Sequence, residues 1–219
     1  MEIDILFEDE NYIAVNKPAP LLVHRTPGDK DNFNLMKYLK EQTGHYLYPI
    51  HRLDKQVSGA IIFGLNQEAV RKIKNIWHTE LVKKEYIGLV KGNIERGDKF
   101  TFSLNDKNKV LKEAITIYNP ITHFKNSTLV DIEIKTGRYH QIRRHFSRRM
   151  QHIIGDRKYG KRPLNDEYRD TYGLQRVFLH SKRLSFENPF THEKLVINAP
   201  LTEDLENVLD KMQLITLSE

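Results

Sequence analysis

The chain of 219 residues contains no cysteine. That removes disulfide frameworks, thiolate nucleophiles and every zinc site built on sulfur, and it fits a reducing compartment. Long apolar runs are missing too, since nothing approaches the roughly 20 residues that cross a bilayer, so no membrane partner is expected. The amino terminus MEIDILFEDE is acidic where an export or transit signal is basic, which makes a cytoplasmic location the simplest expectation. No two glycines are separated by a single residue, so the dinucleotide fingerprint GxGxxG cannot occur. The nearest approach to a phosphate loop, GDRKYGKR at 155–162, puts Arg162 where a magnesium-binding hydroxyl must stand. None of the 10 histidines falls in an HExxH, and the spacing of His140 and His145 sends them to different sides of a helix. Neither a metal nor another cofactor is expected. HRLD at 51–54 superficially matches the catalytic loop of protein kinases, but Leu53 separates Arg52 from Asp54, Gly59 stands where Asn is required, and no DFG exists.

What is present is a basic composition with ordinary apolar content. Hydrophobic residues make up 39% of the chain, and 35 Lys and Arg against 29 Asp and Glu leave a net charge of +6. The first figure supports a packed core. The second suits a polyanion, nucleic acid first, and equally suits a plain basic surface.

Ile3, Ile5 and Phe7 alternate with polar residues and YIAVNKP follows a turn, which predicts a hairpin. NLMKYLKEQ at 34–42 predicts a helix stopped by Gly44, and Asn66 is placed to cap another whose apolar stripe is Ala69, Val70, Ile73, Ile76 and Trp77. Strands are expected at AIIFGL, KKEYIGLVKG, LKEAITIYN, TLVDIEIK, RVFLHSKRLSF and KLVINA. From Gln141 onward, Ile142, Phe146 and Met150 recur every fourth residue among arginines, the pattern of an amphipathic helix with a basic outer surface. Thr202 is the expected cap of a closing helix. Residues 155–175, rich in Gly, Arg and Tyr, read as a long loop. Short strands joined by hairpins with helices between them predict an α+β fold around a mainly antiparallel mixed sheet flanked by helices and loops. No linker or repeat interrupts it, so residues 1–219 are expected to form a single catalytic domain.

The candidate chemistry is that of a carboxylate beside a cationic surface. In HRLDKQVSGA, Asp54 precedes a turn that Ser58 and Gly59 are expected to form, and the strand follows. In KTGRYHQIRRHFSRRM, Arg138, Arg143, Arg144 and Arg148 supply far more charge than solubility needs, and His140 and Gln141 add donors suited to phosphate or base edges. A solvated basic face is the plainer explanation of that run. Arg143 follows the inward-facing Ile142, however, and a guanidinium drawn inward needs an anion, for which Asp54 is a candidate. Such a pair would keep the carboxylate ionised, ready to act as nucleophile or base.

HRLDKQVSG, then KKEYIGLVKG, then KTGRYHQIRRH closely resemble, in order and spacing, the three-motif signature of the RluA-type pseudouridine synthases. The similarity extends to YIAVNKPAPLLVH upstream and to GLQRVFLHSKRLSFENPFTHEKLVINAP downstream. The resemblance implies a pseudouridine synthase-type fold and the isomerisation of an RNA uridine to pseudouridine without a cofactor. It makes Asp54 the catalytic aspartate and Tyr86 the tyrosine that stacks on the uracil and assists proton loss from C5. It makes Arg143 the partner of the aspartate and Leu179 an apolar wall of the pocket. Arg52, beside His51, would help displace and replace the target base. The remaining basic and polar residues of the third motif, Arg138, His140, Gln141, Arg144 and Arg148, would contact RNA. Among subgroups, GRYHQIRRH, YGLQRVFLH and NPFTHEKL are most similar to one that modifies tRNA, which implies a T-stem uridine. A ribosomal RNA target, or an inactive RNA-binding protein of the same fold, are the alternatives, and no obligate protein partner is implied. The chain departs from the family pattern at Val57, where Thr is usual, and at Pro20, where Gly is usual. A separate amino-terminal S4-like RNA-binding domain is not expected, which leaves target recognition to the catalytic domain.

Overall fold

A computed structural model describes residues 1–25 and 33–216. The chain runs β1 (Asp4–Glu8), β2 (Tyr12–Lys17), α1 (Leu35–Thr43), β3 (Tyr48–Pro49), β4 (Ser58–Gly64), α2 (Gln67–Ile76) and β5 (Lys83–Lys91). It continues through β6 (Asp98–Phe100), β7 (Leu104–Asn105), β8 (Leu111–Lys112), β9 (Thr116–Phe124), β10 (Ser127–Ile134) and α3 (Gln141–Arg148). The last elements are α4 (Arg162–Tyr172), β11 (Leu179–Glu187), β12 (Lys194–Asn198) and α5 (Glu203–Thr216). Two compact units result: Met1–Lys84 with Ser181–Pro200, and Glu85–His180 with Leu201–Glu219.

In the first unit the strands lie in the order β1-β2-β4-β11, with β3 on β4 and β12 on β11. The pairings β1 with β2, β2 with β4 and β11 with β12 are antiparallel. Alternation along β2 and β4 sends Tyr12, Ala14, Ala60 and Ile62 to one face, where they pack with Ala69 and Ile73 of α2 and with Trp77. Ile13, Val15, Ile61 and Phe63, on the opposite face, are also fully buried. That double burial explains why AIIF reads as an unbroken apolar run rather than as an alternating one. Both helix starts follow the sequence: Asn34 accepts the Lys37 amide at 3.1 Å and Asn66 accepts the Ala69 amide at 2.8 Å. Gly44 ends α1 in the left-handed conformation at φ 74°.

In the second unit the order is β5-β10-β9-β6, with β10 and β6 both antiparallel to β9. Its core joins Leu89, Phe124, Leu129, Ile154 and Phe178 to Tyr168 of α4 and to Leu205, Val208 and Met212 of α5. The α+β expectation holds, and the closing helix starts directly after Thr202, whose hydroxyl accepts from Arg176 at 2.8 Å. Arg176 also grips Asp204 through Nε at 2.6 Å, which fastens α5 to the segment between α4 and β11.

Residues 155–175 are not a loop throughout, because α4 occupies most of the stretch. Pro163 stands in the first turn, where its missing N–H costs nothing, and Gly173 closes the helix at φ 83°. Only Tyr168 of this helix is buried, so the apolar stripe was too thin to register as a period.

Candidate active site

Asp54 is half-buried, in a reverse turn that leads into β4. The Val57 amide donates to the Asp54 carbonyl at 3.0 Å, which places Lys55 and Gln56 at the corner. Ser58 and Gly59, expected to form the turn, already belong to β4. Gly59 serves another purpose, since its φ is +111° and a Cβ on it would lie 2.3 Å from the Ser181 carbonyl oxygen. Glycine alone lets β4 run so close to the backbone of β11.

The turn is fastened by a residue that sequence reasoning passes over. Lys17, fully buried at the end of β2, donates from Nζ to the carbonyls of Pro18 at 2.9 Å, Leu21 at 2.8 Å and Lys55 at 3.4 Å. The Leu21 amide donates to the same Lys55 carbonyl at 2.9 Å. One ammonium group thereby ties the NKPAP segment to the corner next to Asp54. A fully buried lysine is rare without such partners, but sequence alone could not say that this one was buried.

Arg52 is exposed. His51 uses one ring nitrogen inside the fold, because Nε2 accepts the Ile62 amide at 3.2 Å and the ring packs on Trp77 at a centroid distance of 4.7 Å. Burial, with a smaller push from the Lys84 ammonium, lowers its pKa to about 3, so the imidazole is a neutral scaffold acceptor.

In the second unit, Tyr86 is buried in β5, and Gly88 two residues on shares its face. A Cβ on Gly88 would meet Ile132 Cδ1 at 3.2 Å and Leu179 Cδ1 at 3.4 Å. Leu179 therefore packs over bare β5 backbone on the face that carries Tyr86.

Arg143 lies in the first turn of α3 and is 8% exposed. The inward pull expected from the neighbouring Ile142 is real. A carboxylate that meets it is Asp156, which the sequence does not single out: Nε donates to Oδ2 at 2.7 Å and Nη2 donates to Oδ1 at 2.9 Å. Asp156 Oδ1 also accepts the amides of Lys158 at 2.9 Å and Tyr159 at 3.0 Å. Burial alone would raise the Asp156 pKa, but the hydrogen bond and charge of Arg143, with the two amides, outweigh it and hold the carboxyl below its usual value. The guanidinium carbon also lies 5.1 Å from the centre of the Tyr159 ring, and the Tyr159 hydroxyl meets His140 Nδ1 at 3.0 Å.

Gln141 needs correction as an RNA contact. Its Oε1 accepts from Thr136 Oγ1 at 2.7 Å and from the Arg138 amide at 3.0 Å, while Nε2 donates to the Ile115 carbonyl at 2.9 Å and to Thr116 Oγ1 at 3.0 Å. All its hydrogen-bonding capacity is used inside the fold. The network continues to His145, whose Nδ1 meets Thr116 Oγ1 at 2.9 Å and whose Nε2 meets the Phe102 carbonyl at 3.1 Å. Since the Phe102 oxygen can only accept, the proton belongs on Nε2. Desolvation is the main reason that the His145 pKa falls to about 4.

The other arginines are more outward. Arg138 Nε donates to the Glu113 carbonyl at 2.9 Å, and Arg144 Nη1 donates to the carbonyls of Asn105 at 3.0 Å and Tyr139 at 3.2 Å. Arg148 Nη1 reaches the Ser103 carbonyl at 3.3 Å. With five donors per guanidinium, such bonds steady the side chain and leave capacity for phosphate oxygens. Among the described residues, no cluster of three or more His, Cys, Asp or Glu could hold a metal ion, and no helix is long and apolar enough to cross a membrane.

Comparison with known proteins supplies the remaining context. The sequence model of the family described as RNA pseudouridylate synthase matches residues 11–148, a span that includes Asp54, Tyr86 and Arg143. The chain is 34% identical to tRNA pseudouridine synthase C of Haemophilus ducreyi, with 96% of each chain covered. It is 30% identical to tRNA pseudouridine synthase C of Vibrio parahaemolyticus, over 97% of this chain and 96% of that one. Its fold superposes on human RNA Pseudouridylate Synthase Domain Containing 4 with a TM-score of 0.78 at 23% identity, covering 96% of this chain and 93% of the other.

Proposed function

The chain belongs to the RNA pseudouridylate synthase family, and from that premise we propose that it isomerises one uridine of tRNA, in the T-stem near the acceptor stem, with Asp54 as the essential carboxylate. The reaction balances without a co-reactant: the N1–C1′ bond breaks, C5 bonds to C1′, C5 loses its proton and N1 gains one. In this reading Asp54 is the group that reacts, and Arg143 is the catalytic cation. Tyr86 stacks on the uracil and assists removal of the C5 proton, while Leu179 walls the pocket. Arg52, exposed beside Asp54, enters the space that the target base leaves. Extruding the base costs roughly a few kcal/mol, which stacking and phosphate contacts offset.

The observation that carries the reading is how firmly the site residues are held: Lys17 fixes the Asp54 turn, and Asp156, itself held by two backbone amides, fixes Arg143. A surface that merely bound RNA would have no use for a guanidinium locked in the interior. The tRNA target is supported by relatives named as tRNA pseudouridine synthase C that match nearly end to end. A single domain working in the cytoplasm, where tRNA is modified, completes the proposal. The test is pseudouridine mapping of total RNA from cells with and without the protein. One tRNA position should lose its pseudouridine; a loss confined to ribosomal RNA would refute the target, and no loss would refute the activity.

A further inference from the structure

Beside Arg143 the chain presents an aromatic surface that the reaction itself does not use. Tyr139 is 55% exposed, although it stands two residues before α3, whose first residues, Gln141 to Arg143, are buried. Its ring lies on the His140 imidazole with centroids 3.7 Å apart and planes 22° from parallel. Neighbouring residues in regular structure do not face each other this way. They do so here because His140 is in the left-handed region at φ 52°, which is unusual for a residue other than glycine. An uncommon backbone conformation held by its surroundings is a signal worth reading.

The surroundings do hold it. His140 Nδ1 is fixed to the Tyr159 hydroxyl at 3.0 Å, and the Tyr159 ring stands edge-on to the imidazole at 83°. Tyr159 is held in turn by its backbone N–H, which donates to Asp156, the residue that grips Arg143. The stacked pair is therefore built on the same support as the candidate catalytic arginine. Lys158, an exposed side chain, places its ammonium 5.6 Å from the Tyr139 ring and 5.4 Å from the Tyr159 ring. Nothing in the packing of the unit requires an exposed tyrosine to be stacked, braced and accompanied by a cation.

We propose that Tyr139, backed by His140, is a stacking platform for an unpaired nucleobase next to the target uridine, with Lys158 meeting the phosphate of that nucleotide. This rests on the reading of the chain as an RNA-modifying enzyme, and it deepens that reading by naming a contact that the isomerisation does not need. An aromatic face accepts any base, and a flexible ammonium can leave the ring for a phosphate oxygen. When a uridine is pulled out of its stack, its neighbour loses a stacking partner; the platform replaces that partner and keeps the RNA open.

The test uses the full chain and two probes: an unmodified tRNA transcript, and a single-stranded RNA oligonucleotide carrying 2-aminopurine, whose fluorescence is quenched by stacking. Tyr139→Ala should weaken oligonucleotide binding about 5- to 100-fold and abolish the quenching. Tyr139→Phe, which keeps the ring, should behave as wild type, and Tyr139→Leu, which keeps bulk alone, should resemble Tyr139→Ala. Thermal melting of all three should stay close to wild type, which separates lost stacking from lost folding. On the transcript, Tyr139→Ala should raise KM more than it lowers kcat. Wild-type binding and quenching by Tyr139→Ala would overturn the platform, as would an equal loss in Tyr139→Phe. The oligonucleotide assay needs no turnover, so the two readings can fail separately. A wild-type protein that quenches through Tyr139 without forming pseudouridine would uphold the platform and refute the enzyme.

Discussion

Replacing Asp156 with Asn keeps the shape of the side chain and one carbonyl acceptor but removes the negative charge that it sets against the buried Arg143 guanidinium. The native pair is close, at 2.7 Å and 2.9 Å, and the Asp156 side chain is 1% exposed, so water cannot take over. Breaking a buried pair from one side costs about 3–5 kcal/mol, and retention of the amide oxygen puts Asp156→Asn at the lower end, about 3 kcal/mol. For a chain of this size the melting temperature should then drop by roughly 6–12 °C. Urea denaturation should show a lower midpoint with an unchanged slope. A double-mutant cycle with Arg143→Met should return a coupling of about 2 kcal/mol, because in the double variant the cation is gone as well. The pH dependence follows from the depressed Asp156 pKa. A carboxyl whose folded pKa lies below its unfolded value adds stability that is complete above the unfolded value and is lost as pH falls through the folded one. Asp156→Asn should therefore flatten the acid side of the stability curve below about pH 4. On tRNA, kcat should drop about tenfold or more as Arg143 loses its orientation. A variant within about 1 kcal/mol of wild type, with no coupling to Arg143, would show that Asp156 does not hold the arginine.

Three further outcomes follow from the same geometry. Gly59→Ala drives a Cβ to 2.3 Å from the Ser181 oxygen at φ +111°, and should cost more than about 3 kcal/mol or abolish soluble expression; a urea midpoint near wild type would contradict it. Lys17→Met removes the donor that ties three carbonyls, and should cost about 2–4 kcal/mol. Activity should fall with it because the Asp54 turn loosens, and a stable, fully active variant would refute that support role. His145 and His51, with pKa values lowered to about 4 and about 3, stay neutral in the fold while the unfolded chain takes up protons near pH 6.5. The unfolded state then binds more protons on the acid side, so stability should decline as pH falls from about 6.5 towards 4. An equal urea midpoint at pH 7 and pH 5 would contradict it.

The elements that were legible in the sequence are those whose signals are local. Asn34 and Asn66 announced their helices through a side chain able to reach the third amide, and the alternation of Val130, Ile132 and Ile134 with Asp131 and Glu133 announced β10. The helix α4 was hidden because Pro163 looks like a breaker until its first-turn position is known, and because Tyr168 carries the burial almost alone. The site divides in the same way. Burial of Arg143 could be argued from its neighbour Ile142, but the identity of Asp156 could not, since nothing periodic links positions 143 and 156. Gln141 and His51 have side chains suited to RNA and were expected to use them there. Only the structure shows that the carbonyl and amide of Gln141 and the acceptor nitrogen of His51 are engaged inside the fold. Lys17 failed in the opposite sense, being a charged residue that sequence statistics place on the surface.

The most direct test of the central claim is tritium release from C5-labelled uridine in an unmodified tRNA transcript, comparing wild type with Asp54→Asn at equal RNA occupancy. Wild type should release tritium with turnover and Asp54→Asn should stay at background while remaining folded and bound to the transcript. Release by Asp54→Asn at the wild-type rate would contradict the assignment of Asp54 as the carboxylate on which the reaction depends.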